Sequence, residues 1–110
     1  PYLINSLKKN RNIKLKEPFA ARDFIHVDEV CKLILKFSNT NLSGIYNIGT
    51  GKYFSPLEIA LALKKYIKSK SIITYDKKKL KNNFYANTEK IKNLNFKPKS
   101  DFINSLKYLI

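Results

Sequence analysis

At 110 residues the chain fits one small domain with a core of its own, and it is too short for a two-domain catalyst that carries its own cofactor domain. Hydrophobic residues make up 44% of it and Gly and Pro number only 3 and 4, the composition of a folded segment, and no apolar run approaches the roughly 20 residues that cross a bilayer. A single cysteine, Cys31, excludes an internal disulfide and a cysteine-rich zinc site and fits a reducing compartment, the cytoplasm, while 22 basic against 8 acidic residues leave a formal charge of +14.

Pro1 to Asn10 sets Leu3, Ile4 and Leu7 on one stripe with Lys8 and Lys9 outside it, which predicts the end of an amphipathic helix, broken by Asn10, Arg11 and Asn12. Ile13 to Lys16 alternates apolar and charged residues as a short strand does, and Glu17-Pro18 stops it. After a loop to Ala21, Arg22 to Val27 has strand character. Asp28 then offers a cap or a first-turn acid for a helix running to about Ser38, with Val27, Val30, Cys31, Ile34 and Leu35 as its apolar face. On that face Cys31 reads as core and not as a reactive thiol. Asn39 to Gly44 is turn chemistry, and Ile45 to Ile48 reads as a compact strand ending at Gly49-Thr50-Gly51.

The next helix start is the clearest local signal. Ser55 caps, Pro56 suits the first helical position, and Glu58 completes a capping box, with Ile59, Ala62, Leu63, Tyr66 and Ile67 on the buried face. Ser71 to Tyr75 is a second β-branched run, followed by an exposed loop of lysines. Asn87 or Thr88 caps a short helix containing Ile91 and Leu94, Pro98 ends the next turn, and Ser100 caps a last helix with Phe102, Ile103, Leu106, Leu109 and Ile110 inward. The order is helix, strand, strand, helix, strand, helix, strand, helix, helix, an α/β arrangement in one domain over 1–110.

The charge raises nucleic acid as a partner, and a basic nucleic-acid-binding module is the alternative reading of the chain. The basic residues argue against it: 20 of the 22 are Lys, they are spread along the chain, and only Lys77, Lys78, Lys79 and Lys81 cluster. For catalysis the chain offers little. His26 with Asp23 and Asp28 suggests an acid–base or metal group, yet 23 and 26 point to opposite faces of a strand, and a locally satisfied histidine is the simpler reading. Gly49-Thr50-Gly51-Lys52 lies between a strand and a helix as a phosphate cradle does, but it lacks the spacing of a P-loop or a dinucleotide fingerprint and reads as a glycine-enabled turn. Arg22 stands at the mouth of a strand, where a guanidinium could grip a diphosphate bidentately. Pairing with Asp23, Asp28 or Glu29 is the equal alternative.

Three stretches taken together resemble one family. Arg22-Asp23-Phe24-Ile25-His26-Val27-Asp28-Glu29-Val30, then Gly44 to Gly51 followed by Ser55, Leu57 and Glu58, then Tyr85-Ala86-Asn87-Thr88-Glu89-Lys90 leading to Leu94-Asn95-Phe96-Lys97-Pro98, are similar in order and kind to the C-terminal part of the extended short-chain dehydrogenase/reductases, the NAD-dependent nucleotide-sugar epimerases and dehydratases. The resemblance implies a small C-terminal substrate-binding domain whose N-terminal Rossmann domain lies outside these residues. A chain without Met that begins at Pro1 agrees with a piece of something longer. In the parent, NAD or NADP sits in the Rossmann domain, which also carries a Tyr-x-x-x-Lys pair. Such a spacing at Tyr75 to Lys79 falls after the Gly49–Gly51 segment and does not match that pair. The resemblance therefore implies no catalytic, cofactor or metal residue in this segment and no turnover from it alone.

Carried over residue by residue, the motif arginine that contacts the substrate diphosphate is Arg22. The strand lining the nucleotide base, largely through backbone, is Ile13, Lys14 and Leu15, where Leu15 replaces an aromatic and Lys16-Glu17-Pro18 replaces glycines. A second phosphate-gripping arginine has no counterpart, and Lys77 and Lys79 with their neighbours supply charge in its place. Asn87 replaces the aspartate that opens the following helix. The implied partners are a nucleoside-diphosphate sugar, the chain's own Rossmann domain, and a second copy through helices upstream, in the synthesis of sugars for cell-surface polysaccharide. Segments 22–38 and 45–67 are expected to pack on the Rossmann domain and so to leave apolar surface exposed here.

Overall fold

The computed structural model describes residues 2–98 and 101–110. The elements in chain order are α1 (Tyr2–Lys8), β1 (Ile13–Leu15), α2 (Val27–Ser38), α3 (Pro56–Ile67), β2 (Ile73–Tyr75), α4 (Glu89–Lys92), α5 (Phe102–Ser105) and a 3₁₀ turn (Leu106–Leu109). β1 and β2 pair in parallel, Ile13 opposite Ile73 and Leu15 opposite Tyr75, so the chain crosses over through α2 and α3 between them. No helix among the described residues is long and apolar enough to cross a membrane.

Local chemistry explains the best-formed element. At the start of α3 the Ser55 hydroxyl accepts the Glu58 N–H at 3.2 Å and the Glu58 carboxylate accepts the Ser55 N–H at 2.7 Å, with Pro56 next in line. Leu63 is buried, and Ile59, Ala62, Tyr66 and Ile67 pack beside it, as the 3.6-residue period requires. They join Leu7 of α1, Ile13 of β1 and Leu106 in one core. A second core, Leu33, Ile91 and Phe96 with Phe37 and Tyr46, lies apart from it. With its apolar interior divided, the molecule is long, 51 × 30 × 17 Å, and its radius of gyration of 16.6 Å exceeds the ~13 Å of a compact domain this size.

Several sequence expectations are corrected. Arg22 to Val27 is not a strand: only Arg22 forms bridges, to Phe54 and Phe84, and the residues after it find no ladder. Ile45 to Ile48 is likewise irregular, because it is held by side chains, with Lys90 Nζ donating to the Ile45 carbonyl at 2.8 Å and Asn47 Nδ2 to the Asn87 carbonyl at 3.4 Å. Of the two roles offered for Asp28, it takes that of first-turn acid, and the cap of α2 is His26, whose Nδ1 accepts the Asp28 N–H at 3.3 Å. The largest correction concerns the face of α2. Leu33 and Glu29 are its buried residues, whereas Val27, Ile34 and Leu35 are 64%, 57% and 65% exposed and Cys31 is exposed with them. Periodicity identified the apolar stripe, but nothing among the described residues covers it. Leu109 and Ile110 are also outward, since the chain tightens into a 3₁₀ turn after α5 and only Leu106 stays buried. Asp101 caps α5 through the Ile103 N–H at 3.1 Å, and the expected cap, Ser100, lies outside the described residues. The Asn87 side chain closes the start of α4 on the Glu89 N–H at 3.1 Å.

Candidate functional site

Three extended segments meet at Arg22. Arg22 exchanges both backbone hydrogen bonds with Phe54, at 3.1 and 2.9 Å, while on the other side the Phe84 N–H donates to the Ala21 carbonyl at 3.0 Å and the Phe84 carbonyl accepts the Asp23 N–H at 3.1 Å. Arg22, Phe54 and Phe84 thus form one cross-strand row, and residues paired in this way share a face. On that face the Arg22 guanidinium lies 4.9 Å from the centre of the Phe84 ring, a cation–π contact. Its Nη1 donates to the Ala21 carbonyl at 2.8 Å and the Asn82 carbonyl at 3.0 Å.

No carboxylate pairs with Arg22 among the described residues. Of the candidates, Glu29 holds Lys32 at 2.9 Å, Asp28 sits 3.5 Å from His26 Nδ1, and Asp23 faces away. The alternative of a structural ion pair for Arg22 therefore finds no partner. A charged, exposed guanidinium with Nη1 anchored on carbonyls keeps Nε and Nη2 as donors for an anion.

Asp23 is the residue whose importance the sequence hides. Its carboxylate accepts the Thr50 N–H at 3.0 Å, the Thr50 hydroxyl at 2.6 Å, the Gly51 N–H at 2.9 Å and the Ala86 N–H at 3.3 Å. Burial pushes this carboxyl up, but those donors outweigh it and hold its pKa below the usual carboxylate value. The Gly49-Thr50-Gly51 turn is thus an anion cradle already filled by the protein's own carboxylate. Gly49 is required by close approach, since a Cβ there would meet the Ala86 Cβ at 2.5 Å and Asp23 Oδ2 at 2.6 Å. The available signal was an Asp beside the site arginine together with a turn rich in free N–H groups.

The remaining expected site residues fall in two groups. The Ile13 side chain is buried in the first core and Leu15 packs against that core, so neither side chain is free for a ligand, while Lys14 points outward. The Ile13 N–H is spent on the Ile72 carbonyl. In a parallel pair the backbone groups of the next residue, Lys14, face the opposite edge. Lys77 and Lys79 lie on the exposed loop after β2. Lys79 pairs with Glu17 at 3.0 Å, an exposed contact of about 0–1 kcal/mol. The loop reaches Arg22 through the Asn82 carbonyl and not through a lysine. On the reverse side of the row, Phe19, Ala21, Tyr53 and Asn83 border a separate depression of about 340 Å³.

His26, Asp23 and Asp28 do not assemble into an acid–base or metal group, because Asp23 turns to Thr50 and His26 caps α2. For a dinucleotide, whose diphosphate needs free N–H groups, the one glycine-rich turn here has its amides taken by Asp23. That turn therefore offers no free Thr50 or Gly51 amide to a diphosphate.

No family model matches the chain. Over 74 residues it is 45% identical to the ADP-L-glycero-D-manno-heptose-6-epimerase of Brachyspira hyodysenteriae, a match covering 64% of this chain and 23% of that relative. Among solved structures it is similar to the dTDP-glucose 4,6-dehydratase of Bacillus anthracis in complex with NAD, with a TM-score of 0.79 at 21% identity over 98% of this chain and 36% of that one. It is also similar to the UDP-glucose 4-epimerase of Thermotoga maritima with UDP-glucose, with a TM-score of 0.78 at 19% identity over 96% of this chain and 36% of that one. The chain therefore spans about a quarter to a third of the length of these proteins. The expected likeness holds in sequence and in fold: an α/β segment matching part of an extended short-chain dehydrogenase/reductase.

Proposed function

From this shared sequence and fold, we propose that the chain is the nucleotide-sugar-binding, C-terminal part of an NAD- or NADP-dependent nucleoside-diphosphate-sugar epimerase, dehydratase or reductase, and that Arg22 grips the substrate diphosphate. The observation that carries the reading is Arg22 itself, an exposed guanidinium braced on two carbonyls and an aromatic face with no carboxylate among the described residues to neutralise it. An exposed arginine is costly to order, and bracing it in advance lowers the entropy that a bidentate anion contact must overcome. The backbone edge at Lys14 faces the base, and Lys77 and Lys79 contribute positive potential, Lys79 once it leaves Glu17.

The chemistry in this proposal belongs to the whole enzyme. The dinucleotide supplies hydride transfer and return, and these residues bind and orient the substrate without themselves turning it over. The exposed stripe Val27, Ile34 and Leu35 on α2, with Ile45 at 88% exposure, fits a surface that packs on the cofactor domain. The whole enzyme pairs with a second copy, and its sugar product goes to cell-surface polysaccharide.

Calorimetric titration with ADP and UDP tests the site. Arg22→Ala should weaken binding by about 1.5–3 kcal/mol, the range for a hydrogen bond to a charged group. Equal affinity in the two proteins would remove Arg22 from the site.

A further inference from the structure

Arg22 and Asp23 are neighbours with their side chains on opposite faces of an extended segment, and the two faces are mechanically linked. Through its backbone this dipeptide holds Phe54 and Phe84. Through its carboxylate, Asp23 holds Thr50 and Gly51 on one side and Ala86 on the other. Segment 82–86 therefore has two anchors on the same dipeptide, and it supplies two of the three supports of the guanidinium, the Asn82 carbonyl and the Phe84 ring, the third being the adjacent Ala21 carbonyl. Gly49, which admits no Cβ against Ala86 and Asp23, keeps the three segments at that separation.

We infer that Asp23 is a positioning residue for the anion site: by clamping the 49–51 turn to the 84–86 segment, it fixes Asn82 and Phe84 under the Arg22 guanidinium and aims the free donors outward. The inference rests on the diphosphate reading of Arg22. Its four donors also keep the Asp23 charge turned away from Arg22, so the guanidinium meets an anion at full charge.

Charge and position give opposite signs, and this makes the inference testable. Removing a negative charge near an anion site strengthens anion binding on electrostatic grounds alone. If Asp23 positions the site, Asp23→Asn instead weakens ADP and UDP binding about tenfold, the loss expected for one charge-assisted hydrogen bond. Thr50→Val, which deletes only the hydroxyl donor, weakens it less and in the same direction. Asp28→Asn, an exposed acid outside the site, leaves affinity unchanged. The second readout is the ¹⁵N resonance of Arg22 Nε–H together with amide exchange at Thr50, Gly51 and Ala86. Asp23→Asn should speed exchange at those amides and broaden the Arg22 signal. Unchanged or tighter nucleotide binding with an unaltered Arg22 signal would overturn the inference. If Asp23→Asn does not fold, Thr50→Val decides by the same two readouts. If the unaltered protein binds neither nucleotide, the diphosphate reading fails, and the Arg22 resonance still decides whether Asp23 positions the guanidinium.

Discussion

Substituting Gly49 with alanine tests the packing at the meeting of three segments. The new Cβ would lie 2.5 Å from the Ala86 Cβ and 2.6 Å from Asp23 Oδ2, and neither neighbour is the far end of a flexible chain. One segment must therefore retreat, and the weakest tie is the Ala86 N–H to Asp23 bond at 3.3 Å. Overpacking costs about 1–3 kcal/mol. A broken hydrogen bond to a charged acceptor adds about 1.5–3 kcal/mol. The loss of glycine's freedom in the unfolded chain returns about 0.4–1 kcal/mol. The net expectation is a destabilisation of about 2–5 kcal/mol, a large share of the 5–15 kcal/mol typical of a folded protein. Urea unfolding followed by far-UV circular dichroism measures it, and a midpoint unchanged from the parent would show that the 49–51 turn and the 84–86 segment are not held as described.

Acid should expose the same clamp. Because the folded pKa of Asp23 is depressed, its contribution is complete above the unfolded carboxylate value and is lost as pH falls through the lower folded value. Thermal melts should therefore steepen their decline below about pH 4, and Asp23→Asn should remove that part of the decline. Ser55→Ala removes one half of the α3 capping box and should cost about 1 kcal/mol by urea unfolding, with no effect on nucleotide affinity. Ile34→Lys or Leu35→Glu on the exposed stripe of α2 should reduce self-association and binding of a hydrophobic dye without lowering the melting temperature, whereas a loss of stability would place that stripe inside the fold. Gel retardation with DNA at about 50 mM salt should show no binding, and binding that falls steeply towards 200 mM would instead favour the nucleic-acid module.

The elements that could be read from sequence were those whose cause is local. The capping box at Ser55 and Glu58, the stop at Asn10 to Asn12 and the pattern of β1 each depend on a few adjacent residues, and each appears where expected. What failed depended on distant neighbours. Segments 22–27 and 45–48 have strand-like side chains, but a strand exists only beside another, and the backbone there is held by Asp23 and Lys90 instead. The stripe of α2 was found, yet a periodic pattern cannot say what covers it. At the candidate site, Arg22 could be singled out because its residue type is rare among the 22 basic residues and its motif is distinctive. Asp23 was not, since its partners Thr50, Gly51 and Ala86 lie 27 to 63 residues away.

The central claim is tested most directly by mapping the binding of ADP and UDP with ¹H–¹⁵N chemical-shift changes on the assigned protein. The account predicts saturable shifts confined to 13–15, 22 and 77–84, with the Arg22 Nε–H moving furthest. Saturable shifts elsewhere, with Arg22 unmoved, would contradict it.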